Sequence, residues 1–140
     1  MKRIEVGLTQ TASLLVTPQL LVPAFAKQLF PTWRDMPDVL ATIIMVGLIE
    51  EACVNLLHPL LAADEITVGS RVHVDHLAPT PLGLRITAEV VLTEVSGAKF
   101  VFDATCRDSL EIIGRGSHVR RMVNRANFES KLAAKRSNTV

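Results

Sequence analysis

The sequence predicts an α+β domain in which a long antiparallel β-sheet wraps around one central buried α-helix. Three observations carry that expectation. The stretch from Asp38 to about Leu61 is apolar around most of a helical circumference. After it the hydrophobic period changes to two and stays there for roughly sixty residues. Turn residues divide that alternating stretch into four consecutive strands, the pattern of antiparallel hairpins.

Taken in order, residues 4–16 (IEVGLTQTASLLV) mix apolar and polar positions in partial alternation and predict a first strand. Between Thr17 and Pro37 stand Pro18, Pro23, Pro31 and Pro37, which exclude a long regular element. This segment is expected to be a structured, lid-like loop with a short helix around Ala24 to Leu29. Pro37-Asp38 opens the central helix, with Asp38 at its positive end, and Pro59 bends or ends it near His58. Gly47 sits mid-helix, where close approach of a neighbouring backbone would account for it. The four strands read ITVGSRVHVDHLA, LRITAEVVLTEV, KFVFDATCRDS and EIIGRGSHVRRMV, and a short charged helix begins at Arg125 and runs into a tail to 140. A sheet of this kind has exposed edges, so a homodimer is expected.

The 140 residues make one domain, 1–140, with 49% hydrophobic and 21% charged residues, as in globular chains. A net charge of +1 and 4% aromatic residues give little for nucleic acid to bind. Cys53 and Cys106 stand far apart with no metal-binding companion, and both are expected to be free thiols in a reducing compartment. No signal-like segment follows the first residues, and the longest apolar run, Val39 to Ile49, is short for a bilayer span. A cytoplasmic protein with no membrane partner is the expectation.

Glu50 lies in IIMVGLIEEACVNLL, where an unpartnered ionised carboxylate would be costly. It is paired, protonated or functional, or else faces solvent, as its neighbour Glu51 also can. Thr42 precedes it by about two turns and is either a groove residue or a core threonine bonded to backbone. On the first strand after the helix, His76 shares the face of Val72 and Val74, while His73 and Asp75 face away. An inward His76 can meet the helix carboxylate as an acid/base partner, or be a satisfied core histidine. His58 and His118 complete no metal set, and no metal is expected. Arg115, Arg120, Arg121 and Arg125 form either a solvated basic edge or a phosphate site for an anionic ligand.

Asp38-Val39-Leu40-Ala41-Thr42, then Met45-Val46-Gly47-Leu48, Glu50 and Ala52-Cys53-Val54, resemble the central helix of the fluoroacetyl-coenzyme A thioesterase-like family of hotdog-fold acyl-CoA thioesterases. Val68-Gly69, Val74, His76 and the turn from Ala78 to Leu84 are similar to that family's next strand and loop. Glu111-Ile112-Ile113-Gly114, Gly116, His118 and Arg120 are similar to its final strand. The resemblance implies a hotdog fold, a homodimer with the acyl-CoA substrate near the subunit interface, and thioester hydrolysis to free acid and coenzyme A. It implies no cofactor besides the coenzyme A of the substrate.

It further implies that Glu50 attacks the carbonyl or activates water, that His76 is the acid/base, and that Thr42 positions the carboxylate or the water. Gly69 would lie against the acyl group, with Arg120 among the substrate contacts. In the family's phenylalanine-bearing gate this chain has Trp33 and Met36. Methionine adapts to varied shapes, so a small acyl group is expected without commitment to fluoroacetyl. A hotdog enoyl-thioester hydratase and a non-catalytic acyl-CoA-binding module are the alternatives. Asp38 is the only acidic residue suited to the hydratase, with no histidine beside it.

Overall fold

The computed structural model describes residues 3–138. Strand β1 (Thr9–Leu15) is followed by helix α1 (Thr42–Leu57), then by β2 (Glu65–His76), β3 (Arg85–Ser96), β4 (Lys99–Arg107), β5 (Ile112–Asn124) and helix α2 (Arg125–Ser137). The five strands form one antiparallel sheet in the order β1-β3-β4-β5-β2, so β1 and β2 are its edges. This is the α+β arrangement expected, with the sheet packed against one helix.

Alternation explains the strands. On β3 and β4, every second residue is buried (Ile86, Ala88, Val90 and Leu92; Phe100, Phe102, Ala104 and Cys106) and meets Met45, Ile49, Ala52, Cys53 and Leu57 of α1. Gly114 of β5 permits this approach, since a β-carbon there would stand 2.6 Å from the sulfur of Met45. By length and composition Thr42–Leu60 is apolar enough to cross a membrane; here seven residues of α1 are buried within the domain.

Five local expectations are corrected. The first strand begins at Thr9 rather than Ile4, because the chain turns at Gly7, which adopts φ 99°. Instead of a short helix at 24–29 there are 3-10 turns at Pro18–Leu20, Val22–Phe25 and Pro31–Asp35, each with a proline at its first or second position that can donate no backbone hydrogen bond. Helix α1 starts at Thr42, four residues after Asp38, because Val39 and Leu40 are engaged elsewhere. The Val39 carbonyl accepts from Val22, and the Leu40 amide donates to the Thr80 carbonyl. Gly47 has open space around it within one copy, so no neighbouring backbone explains it there. Nor is α1 buried all round: Thr42, Ile43, Gly47 and Glu51 lie on an exposed stripe.

Helix α2 is set by its start. The Asn124 side chain accepts from the Asn127 amide at 3.0 Å, and the last turn carries Lys135 and Arg136, which suit the negative end of the helix. Residues 139 and 140 of the expected tail lie outside the described residues.

Candidate active site

The late start of α1 changes what Thr42 is. At the first helical position its side chain is exposed rather than interior, and its Oγ1 lies 2.7 Å from Nδ1 of His76, the last residue of β2. The other ring nitrogen, Nε2, is buried and has no partner among the described residues. His76 lines an open cleft of about 270 Å³ with Val39, Leu77, Ala78 and Pro79. That wall is held from several sides. The amides of Leu77 and Ala78 both donate to the Ile113 carbonyl, and the buried Thr80 hydroxyl donates to Asp108 at 2.9 Å. Asp108 also accepts from the amides of Leu110 and Glu111. Desolvation pushes its carboxyl upward, but these three hydrogen bonds together outweigh it and hold the pKa below the usual aspartate value.

Glu50 lies in a second cluster, and the expected pairing of Glu50 with His76 is not formed within one copy. Its Oε1 is 3.2 Å from Nη1 of Arg120 and 3.6 Å from Nε2 of His118. The carboxylate is therefore paired, and its side chain stays 41% exposed. Gly69 leaves room for it: a β-carbon there would stand 2.7 Å from Oε1. Thr42, expected to position the carboxylate or the water, hydrogen-bonds the imidazole within one copy. Helical rise places Thr42 and Glu50 about 12 Å apart along α1.

Arg120 is not on a solvated basic edge. It is 6% exposed, donates from Nε and Nη2 to the hydroxyl and carbonyl of Thr67, each at 2.9 Å, and so is engaged by protein groups rather than left open as a phosphate site. Arg115, Arg121 and Arg125 are the exposed members of that run.

Both clusters face α1 because β2 is irregular. Register with β5 shifts between Gly69 and Arg71, so Ser70 is an extra residue. On one side of the bulge Thr67 and Gly69 point to the helix, paired with Met122 and Arg120; on the other, Val72, Val74 and His76 do, paired with His118, Gly116 and Gly114. The inward facing of His76 agrees with the sequence-based expectation. His73 and Asp75 are exposed.

In the lid, Trp33 is packed within the loop itself, with ring centroids 4.5 Å from Phe30 and 6.2 Å from Phe25, while Met36 is half-exposed. The lid is tied to the start of α1 by the Leu21–Leu40 bridge and by the Ala41 amide, which donates to the Leu20 carbonyl.

His118 is the residue that the sequence reading passed over. The available signal was its place two residues before Arg120 on an alternating strand, which puts both on one face. Among the described residues no group of three or more His, Cys, Asp or Glu could hold a metal. Cys53 is close enough to feel Arg120 and Glu50, but burial pushes its thiol up to about 12, which leaves it protonated and unreactive at neutral pH.

A family model described as "Fluoroacetyl-CoA-specific thioesterase" matches residues 24–126. A fluoroacetyl-CoA thioesterase of Streptantibioticus cattleyicolor is 35% identical over 105 residues, covering 75% of this chain and 76% of the relative. A solved structure of the fluoroacetyl-CoA thioesterase FlK superposes with a TM-score of 0.91 at 32% identity, covering 99% of this chain and 100% of that one. A Thermus thermophilus protein described as a thioesterase superfamily member shares the fold, with a TM-score of 0.87 at 24% identity over 98% and 96% of the two chains.

Proposed function

The chain belongs to the fluoroacetyl-CoA-specific thioesterase family, and from that premise we propose that it hydrolyses a small acyl-CoA thioester at a site that two copies complete. As an acyl-CoA thioesterase with a hotdog fold it is a hydrolase of the thioester bond. The observation that carries the proposed site is the Thr42–His76 hydrogen bond, whose imidazole keeps one buried nitrogen without a partner beside an open cleft.

The Thr42 hydroxyl donates to Nδ1, which puts the ring proton on Nε2 as a donor toward the cleft. Glu50 takes a proton from water as the water oxygen attacks the thioester carbon. The tetrahedral intermediate then loses coenzyme A as the carbon–sulfur bond breaks, with Nε2–H of His76 donating a hydrogen bond to the leaving sulfur and the proton held by Glu50 passing to that sulfur. Glu50 is thereby returned to its carboxylate form, and the acid departs. The amides of Thr42 and Ile43 at the start of α1 and the positive helix end stabilise the oxyanion. The chemistry needs no group beyond the coenzyme A of the substrate.

A small acyl group cannot span the helical separation of Glu50 from Thr42, so a second copy supplies the missing half. Strand β2 supports this reading, with one ladder to β5 and its other edge, over 12 residues, unpaired among the described residues. If two β2 strands pair antiparallel about Val72 and His73, Gly69 of one copy lies beside His76 of the other. Such pairing would also cover Val72 and Ile43, which are 43% and 44% exposed. Gly47, open within one copy, suits the approach of a second helix. Free, buried Cys53 and Cys106 fit a cytoplasmic setting.

The test is release of free thiol from a panel of acyl-CoA esters. Hydrolysis of at least one short-chain ester, lost in Glu50→Ala and in His76→Ala, is expected. Undiminished rates in both variants sink the site, and no hydrolysis by the native chain favours an acyl-CoA-binding module.

A further inference from the structure

His118 has no exposed surface and plays no part in the steps above, yet it touches the residue that holds Glu50. Its Nδ1 lies 2.8 Å from the Arg71 carbonyl. A carbonyl only accepts, so Nδ1 carries the proton and Nε2 is a lone pair. Into that lone pair Nη1 of Arg120 donates, at 3.1 Å. The same nitrogen faces Glu50, and Thr67 takes hydrogen bonds from the opposite side of the guanidinium. The guanidinium is thus gripped from two directions, and one of its N–H groups is left to aim at the carboxylate.

We propose that His118 is a positioning residue of the thioesterase: by accepting from Nη1 of Arg120 it fixes the guanidinium, and through it the direction of the Glu50 carboxylate. The role rests on the reading of Glu50 as the reactive carboxylate. Three features support the neutral ring it requires. Burial lowers the His118 pKa, and Arg120 adds to that lowering, against the opposing pull of the Arg71 carbonyl and Glu50. The ring is anchored at the register shift between Gly69 and Arg71. A protonated ring would have no lone pair for Arg120 and would set two cations in contact. A side chain that only fills the space behind Arg120 would need none of this donor and acceptor order.

The experiment compares His118→Leu, which fills volume without an acceptor, with His118→Gln, which offers an amide oxygen near the Nε2 position. Activity toward acetyl-CoA, or whichever panel ester the native enzyme cleaves fastest, is measured with the NMR signal of the Arg120 Nε–H. The expected result for His118→Leu is a fall in kcat of about tenfold or more, in line with the cost of misplacing a reacting group. KM should change far less, and the protected Nε–H signal should vanish. His118→Gln should keep most of the rate and the signal.

Native kcat with an intact Arg120 signal in His118→Leu overturns the proposal. Glu50→Ala run alongside separates the two claims. Full activity there removes the catalytic reading and this role with it, whereas an impaired Glu50→Ala beside an undiminished His118→Leu overturns the role of His118 alone. Should His118→Leu not fold, ring nitrogen shifts of the native enzyme between about pH 6 and 8 decide, since the neutral tautomer is set by its partners. A proton on Nδ1 supports the clamp and one on Nε2 overturns it.

Discussion

The hydroxyl of Thr42 stands 2.7 Å from Nδ1 of His76, joining the first residue of the central helix to the last residue of an edge strand. This contact joins residues 34 positions apart into one reactive pair and leaves the other imidazole nitrogen buried and unsatisfied among the described residues. A buried polar atom without a partner costs about 1–3 kcal/mol. Its retention at the mouth of a cleft fits a group whose partner arrives with the substrate.

Removal of that hydroxyl without loss of volume tests the pair. Thr42→Val is expected to lower kcat by about a hundredfold or more, the usual scale of acid–base assistance. Thr42→Ser should stay within about tenfold of the native rate, because the donor to Nδ1 is kept. Steady-state thiol release on both variants decides, and equal rates for the valine and serine forms would remove Thr42 from the mechanism.

Composite sites allow complementation. When Glu50→Ala and His76→Ala chains are unfolded together and refolded at equal amounts, random pairing makes half of the dimers mixed, each with one intact site. About a quarter of native activity should return. Absence of any recovery in a preparation shown by mass to contain mixed dimers would place Glu50 and His76 action within one copy.

Gly69→Ala separates activity from stability. The added methyl meets Oε1 of Glu50 at 2.7 Å, and that oxygen is the far end of a flexible side chain, so the fold can yield by swinging the carboxylate away from Arg120. Activity should fall by about tenfold or more, with a change in stability under about 1 kcal/mol. Melting temperature and kcat measured on one preparation check both halves.

Asp108 predicts an acid-sensitive wall. Its folded pKa lies below the unfolded value, so its contribution is fully present above the unfolded carboxyl pKa and is lost as pH falls through the folded one. Asp108→Ala should cost about 1–2 kcal/mol near pH 7 through the loss of hydrogen bonds to Thr80, Leu110 and Glu111. The gap to the native protein should close below about pH 4. Chemical denaturation at both pH values measures it, and a gap that does not change with pH would refute the assignment.

Much of this protein was legible before any fold was known, because binary pattern acts locally. A period of two specified β2 to β5, an apolar run specified the central helix, and alternation placed His76 on the helix side of its strand. The joint catalytic role of Thr42, Glu50 and His76, and the place of Gly69 beside the acyl group, came from resemblance to a family rather than from pattern. What only the tertiary structure decided depends on contacts distant along the chain. Thr80 and Val22 engage Leu40 and Val39, which delays the helix to Thr42 and exposes its hydroxyl. The extra residue at Ser70 resets the alternation of β2, so that Gly69 and His76, an odd number of positions apart, both face α1. His118 and Arg120 meet Glu50 across 68 and 70 residues of sequence, and no local period records such a pairing.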